Sequence, residues 1–156
     1  MAIYFDNAAT SPLRKEVIES INEVLLETYG NPSSNHSFGR KAKNIIENSR
    51  KIIASELNAS PQEIIFTSGG TESDNMLLRS AVEDLDVKTI ISTKIEHHAI
   101  LHALDYLEKK NISIVYLPID KNGEFKYQDL ENALSFDDSK KLVSLMHVNN
   151  EIGNMI

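Results

Sequence analysis

Cysteine is absent from all 156 residues, and so is tryptophan. Without cysteine these residues carry no disulfide, no iron–sulfur ligation and no cysteine nucleophile, which leaves the cell compartment undecided. Positive charge is sparse: 16 Lys and Arg stand against 23 Asp and Glu, a net charge of −7. The basic residues gather only into pairs such as Lys109-Lys110 and Lys140-Lys141. That argues against a nucleic-acid partner. No apolar run approaches the roughly 20 residues that cross a bilayer, so no membrane partner is expected. The opening Met1-Ala2-Ile3-Tyr4-Phe5-Asp6 lacks the basic and apolar regions of a secretory signal, and the cytoplasm is the expected location. Two phosphate-binding signatures are missing as well. No lysine follows the glycines at Walker spacing, and G-x-G-x-x-G does not occur. No metal site is expected.

What is present is ordinary for a globular chain. It is 41% hydrophobic and 25% charged, and long enough for one domain with a core. After the apolar residues 3 to 5, Asp6 to Pro12 reads as a loop, and Ser11-Pro12 suits a helix start. That helix carries Val17, Ile18, Ile21, Val24, Leu25 and Leu26 at helical spacing and stops near Gly30. Gly30 to Gly39 is a long polar turn containing Asn31 and His36; taken alone, His36 reads as a surface histidine. A second helix is expected from Arg40, with Ala42, Ile45, Ile46, Ser49, Ile53 and Leu57 on one face. Asn58-Ala59-Ser60-Pro61 breaks it.

Glu63 to Phe66 reads as a buried strand, followed by a glycine turn and a helix over about Thr71 to Val82. The alternation then repeats. A strand spans Lys88 to Thr93, and a helix from Glu96 points Ile100, Leu101, Leu104 and Leu107 inward. A strand covers Ser113 to Ile119, with a tight turn at Asp120 to Gly123. A short helix runs from Tyr127 to Leu134, and a fourth strand from Leu142 to Val148. Such alternation predicts an α/β fold, a mostly parallel sheet flanked by helices. Ligands in such folds sit at the carboxyl ends of the strands.

Three polar clusters follow predicted strands: Ser68-Gly69-Gly70-Thr71, Glu96-His97-His98 and Asn149-Asn150-Glu151. In a parallel sheet all three would face one rim. The glycine turn opens a helix, where unpaired N–H groups and the helix dipole favour an anion. A tight turn capped by Ser68 or Thr71 fits the same residues. His97 offers a flat imidazole that can stack on a ring or move a proton, or is a helix N-terminal residue without a role. Asn149 or Asn150 offers an amide. A phosphate anchor, an aromatic ring and an amide suit an aromatic phosphorylated cofactor.

Taken in order, Asp6-Asn7-Ala8-Ala9-Thr10, Gly30-Asn31-Pro32-Ser33-Ser34 with His36, Phe66 to Asn75, Glu96-His97 and Met146 to Gly153 resemble the NifS/IscS-type cysteine desulfurases. These belong to class V of the pyridoxal-phosphate (PLP) aminotransferase superfamily, and the resemblance covers essentially the whole chain. It implies the N-terminal portion of a fold type I large domain. Residues 1–20 would be a segment bordering the substrate cleft, and residues 21–156 an incomplete PLP-binding domain.

By the same resemblance Gly70 and Thr71 bind the cofactor phosphate. His97 stacks on the pyridine ring and takes part in proton transfer on the substrate, and Asn150 hydrogen-bonds the phenolic oxygen. Asn7, Ala8, Ala9, Asn31 and His36 border the substrate cleft. The family takes sulfur from L-cysteine, leaving alanine and an enzyme persulfide that serves iron–sulfur clusters and thio-cofactors. It works as a homodimer. Gly70 stands where many relatives have alanine. The aspartate that pairs with the pyridine nitrogen, the Schiff-base lysine, the persulfide cysteine and the carboxylate-binding arginine have no counterpart here. The expectation is therefore a fragment, or one half of a split enzyme completed by a C-terminal polypeptide, inactive alone. A non-catalytic interaction domain and a selenocysteine-lyase-like enzyme are the alternatives.

Overall fold

The computed structural model describes residues 2–155; the predicted elements all lie within that range. The chain forms two compact units, Met1–Phe66 and Thr67–Ile156.

The first unit holds helices α1 (Lys15–Glu27) and α2 (Ser37–Glu56) and a 3-10 turn at Pro61–Glu63. α1 starts later than the Ser11-Pro12 signal implies. Its first bonds run from Val17 and Ile18 N–H to the Arg14 carbonyl, and no side chain caps that end. No residue of α1 is buried, and on its apolar face Leu25 and Leu26 are well exposed while Val17 is half-buried. α2 starts earlier than Arg40, because His36 Nδ1 accepts the Gly39 N–H at 3.3 Å and caps the helix at Ser37.

The predicted strand Glu63 to Phe66 does not form. The Glu63 carboxylate instead accepts the Ser60 N–H at 2.7 Å and its hydroxyl at 2.8 Å, and Pro61 opens a helical turn. This reciprocal cap fixes the local backbone before a sheet partner could. Ile64 to Phe66 run on unladdered, with the Arg50 guanidinium donating to the Ile64 carbonyl and lying 4.8 Å from the Phe66 ring centre.

The second unit is α/β. α3 (Gly70–Glu83), β1 (Thr89–Ser92), α4 (His98–Glu108), β2 (Ser113–Tyr116), α5 (Tyr127–Ser135) and β3 (Lys141–Val143) follow in order. The three strands are parallel in the order β2-β1-β3, with Ile90 level with Ile114 and Leu142. β1, flanked on both sides, is buried throughout, as a central parallel strand requires. The core joins Leu78 and Ala81 of α3 to Val87 and Ile90 and to Ile100, Ala103, Leu104 and Leu107 of α4. The α4 residues recur at the three–four spacing of one helical face. Each fully buried Leu or Ile contributes about 1.5–3 kcal/mol relative to exposure. Leu101, predicted inward, is only half-buried.

The fourth predicted strand is the shortest of the set and ends at Val143. Ser144 N–H still donates to the Ile91 carbonyl at 2.9 Å, but the Met146 N–H turns instead to a side chain. Farther on, Val148 forms an antiparallel bridge with Met155.

Candidate functional site

Parallel strands deliver their following loops to one end of the sheet. The loop after β1, Lys94 to His98, and the segment after β3, Asn149 to Ile152, enclose with Leu101 a cavity of about 210 Å³. His97 and Asn150 both line it.

His97 is the N-cap of α4. Its Nδ1 accepts the Ala99 N–H at 3.1 Å, which assigns the lone pair to Nδ1 and leaves Nε2 as the ring atom for another partner. The His98 ring stands edge-on to it, with centroids 6.4 Å apart.

Asn149 and Asn150 divide the labour. Asn149 is 4% exposed. Its Nδ2 donates to the Ile95 carbonyl at 2.8 Å, and its Oδ1 accepts Glu151 N–H at 2.8 Å and Ile152 N–H at 3.1 Å. Its amide is consumed in holding the loop. Asn150 is exposed on the cavity wall, and its side chain has no protein hydrogen-bond partner among the described residues.

Glu96 is 7% exposed, between Ile95 and His97 in the chain. Its Oε1 accepts the Met146 N–H at 2.8 Å and the Thr93 hydroxyl at 3.3 Å. Burial pushes its carboxyl above the ordinary glutamate range, against the lowering pull of those two hydrogen bonds; the Asp74 charge pushes the same way as burial.

Gly70 and Thr71 open α3, with Gly69 as N-cap in extended backbone. Ser73 N–H returns to the Gly69 carbonyl at 3.1 Å. The N–H groups of Gly70, Thr71 and Glu72 precede the helix's own acceptors. A Cβ placed on Gly69 or Gly70 would meet nothing within 4 Å. The turn is therefore open to a ligand, and glycine or alanine is equally accommodated at position 70. Thr71 is exposed, and its carbonyl accepts Asn75 Nδ2 at 3.0 Å. Neither Ser68 nor Thr71 caps the helix; Ser68 donates to Glu72, and the Thr67 hydroxyl meets that of Ser73 at 2.7 Å.

The structure thus brings two of the three predicted clusters into one cavity. Gly70 and Thr71 do not line it. The strand expected over Glu63 to Phe66 is absent, and the glycine turn follows an irregular segment instead.

The remaining predicted residues belong to the first unit. Asn7, Ala8 and Ala9 form an exposed turn, with Ala9 N–H and Thr10 N–H on the Asp6 carbonyl at 3.2 and 3.3 Å. Asn31 Oδ1 accepts the Ser33 N–H at 2.9 Å, and its carbonyl accepts the Ser34 N–H at 2.9 Å. His36 caps α2 and lies edge-on to Phe38, 6.2 Å between centroids. Among the described residues no group of three or more His, Cys, Asp or Glu could hold a metal, and no helix is long and apolar enough to cross a membrane.

Sequence reasoning named Glu96 without giving it a role, and missed Thr93 and the structural use of Asn149. The available signal was residue type: a carboxylate and an amide set directly behind apolar strands, where burial is the default.

The aminotransferase class-V family matches residues 3–156 of this chain. A cysteine desulfurase IscS of Dictyoglomus turgidum is 48% identical over 155 residues, covering 98% of this chain and 39% of the relative. The cysteine desulfurase IscS of Methanosarcina thermophila is 45% identical over 156 residues, 99% of this chain and 38% of its own length. Among solved structures, a NifS-like protein superposes with a TM-score of 0.92 at 40% identity, over 99% of this chain and 43% of that one. SspA in complex with cysteine gives 0.88 at 34% identity, over 97% and 44%. The chain thus spans about two fifths of the length of the curated relatives it matches.

Proposed function

This chain belongs to the class-V aminotransferase family, and on that premise we propose that it supplies part of a PLP-dependent cysteine desulfurase site. The observation that carries the reading is the pairing of His97 and Asn150 in one cavity at the carboxyl end of a parallel sheet. The residues present fit the cofactor's chemistry. The open glycine backbone and unpaired first-turn donors of α3 suit a phosphate. An unpartnered amide and a ring with a fixed tautomer suit a heteroaromatic with an oxygen substituent.

In this reading Gly70 and Thr71 bind the phosphate through backbone N–H groups and the Thr71 hydroxyl. Asn150 donates its amide N–H to the ring oxygen. His97 presents its face to the ring; with Nδ1 accepting the Ala99 N–H, the neutral imidazole carries its proton on Nε2, the atom left to donate that proton to a partner. Asn149 and Glu96 keep that wall in place. PLP, when bound, supplies an electron sink for carbanion character at the substrate's α carbon. Asn7, Ala8, Ala9, Asn31 and His36, with the rest of residues 1–20, border the substrate cleft, and residues 21–156 make up the cofactor-binding part.

The substrate is L-cysteine, left as alanine once its sulfur is removed. These 156 residues contain no cysteine. Any persulfide therefore comes from polypeptide outside them, and by the family resemblance so does the lysine that holds the cofactor aldehyde. The partners are sulfur-acceptor proteins in the cytoplasm, and either a second copy or a complementing C-terminal half. A second reading, a non-catalytic interaction domain, draws on α1, where Ile18, Ile21, Leu25 and Leu26 are exposed.

The test is equilibrium dialysis of the chain with PLP, repeated for His97→Ala and Asn150→Ala, and sulfide release from cysteine after adding a downstream polypeptide. Saturable binding weakened by both substitutions supports the site. Binding indifferent to both, with no sulfide on complementation, sinks the desulfurase reading and favours the interaction domain.

A further inference from the structure

We propose that Glu96 and Asn149 are positioning residues that together set the spacing between His97 and Asn150; their functional meaning rests on the reading above, while their geometry does not.

The two loops that form the cavity lie beyond the sheet. The ladder between β1 and β3 pairs Thr89 to Ile91 with Lys141 to Val143, and Ser144 makes the last main-chain bond. From there on, nothing in the sheet fixes the second loop relative to the first. Two side chains do so. Glu96 reaches from the first loop to the Met146 N–H, 50 residues along the chain, at 2.8 Å. Asn149 reaches back from the second loop to the Ile95 carbonyl, 54 residues away, at 2.8 Å.

The two ties run in opposite directions, and each anchoring residue is the chain neighbour of a cavity residue. Glu96 precedes His97, and Asn149 precedes Asn150. Both anchors are buried, at 7% and 4% exposure, while His97 and Asn150 are exposed. A buried carboxylate and a buried amide are tolerated only with their hydrogen bonds made. Here those bonds run largely across or within the two loops, so spreading the loops would strand both groups. Thr93, at the end of β1, adds its hydroxyl to the same Glu96 oxygen at 3.3 Å.

The test is NMR on the whole 156-residue chain, with PLP titration alongside. In the unsubstituted chain the Met146 amide is expected to exchange with solvent far more slowly than that of its neighbour His147. Glu96→Ala should abolish that protection and shift the Asn150 side-chain amide and His97 ring signals, leaving Ile90 and Leu104 signals in place. Glu96→Gln retains an acceptor oxygen and should restore all three. PLP affinity should fall about tenfold in Glu96→Ala and recover in Glu96→Gln. Equal exchange at Met146 and His147 in the unsubstituted chain overturns the proposal, whether or not any variant folds. So does a Glu96→Ala variant whose His97 and Asn150 signals do not move. If the signals respond as described while no form of the chain binds PLP, the positioning pair stands and the desulfurase reading falls.

Discussion

The Glu72 carboxylate accepts both the backbone N–H and the hydroxyl of Ser68, each at 2.6 Å. One acidic side chain in the first turn of α3 thereby closes the glycine turn from the N-terminal side. It leaves the Gly70 and Thr71 N–H groups pointing outward and puts a negative charge where the helix dipole favours it. Its carboxyl lies below the ordinary glutamate range, chiefly because of the Ser68 hydroxyl and then the Ser68 N–H. A lowered folded-state value contributes stability above the unfolded value of about 4.5, lost as pH falls through the folded one. Thermal melts should therefore show Glu72→Gln below the unsubstituted chain at pH 7, with the gap closing toward about pH 3. A gap that persists in acid would mean the tie does not depend on the charge.

Glu96 should show the opposite sign. Its folded value is raised by burial, so its contribution is complete below about 4.5 and declines as pH climbs through the raised value. Glu96→Gln cannot ionise. Relative to it, the unsubstituted chain should lose melting temperature between acid and neutral pH. Parallel melting curves for the two proteins would remove buried ionisation as a cost of folding.

At the phosphate end, Thr71→Ala deletes a hydroxyl donor from the open turn. A hydrogen bond to a charged group is worth about 1.5–3 kcal/mol, so phosphate or PLP affinity should fall about ten- to a hundredfold. Isothermal titration measures it. Gly70→Ala serves as the control, because its added methyl meets open space. Unchanged affinity in Thr71→Ala would move the phosphate elsewhere.

Gly39 carries a different constraint. A Cβ there would collide with the Ser34 carbonyl oxygen and stand 2.6 Å from that of Asn31. Both are main-chain atoms of the 31–36 loop, and neither can swing aside as a side-chain tip could. Gly39→Ala should destabilise the first unit by at least about 1–3 kcal/mol, the usual range for overpacking. Protease sensitivity around residues 31–36 should rise with it. An unchanged denaturation midpoint would show that the loop does not need this contact.

Core and surface leucines should separate cleanly. Leu104→Ala empties a fully buried site and should cost about 2–5 kcal/mol in urea unfolding. Leu26→Ala, at a residue 80% exposed, should stay within about 0.5 kcal/mol. A comparable loss at Leu26 would reveal that α1 is covered in solution, by a second copy or another partner.

How far the chain could be read without its structure depended on whether local pattern or distant contact decides an element. α3 and α4 were legible because their apolar spacing and their burial agree. The Glu63 to Phe66 stretch was not, because a serine–glutamate cap three residues apart outcompetes a short apolar run that lacks neighbouring strands. β3 read too long, since its end is set by Glu96, 50 residues earlier, taking the Met146 N–H. That His97 and Asn150 would share one end of the sheet was legible from type and order. Their supports were not, because a side chain that reaches across the fold leaves no periodic trace. The capping role shared by His36 and His97 was equally hidden: a histidine that accepts a main-chain N–H looks like any other in sequence.

The strand order also bears on how this protein emerges from the ribosome. β1 is the middle strand, yet both of its neighbours follow it in the chain, and the later one begins at Lys141. At about 5–20 residues per second, several seconds of synthesis separate the central strand from its second neighbour. Throughout that interval Ile90 and Ile91 have at most one flank protected. This is a window in which a nascent-chain chaperone, or a mispaired strand from a neighbouring polysome, could reach the segment. Translation speed across residues 92 to 141 is therefore a variable on which soluble yield should depend.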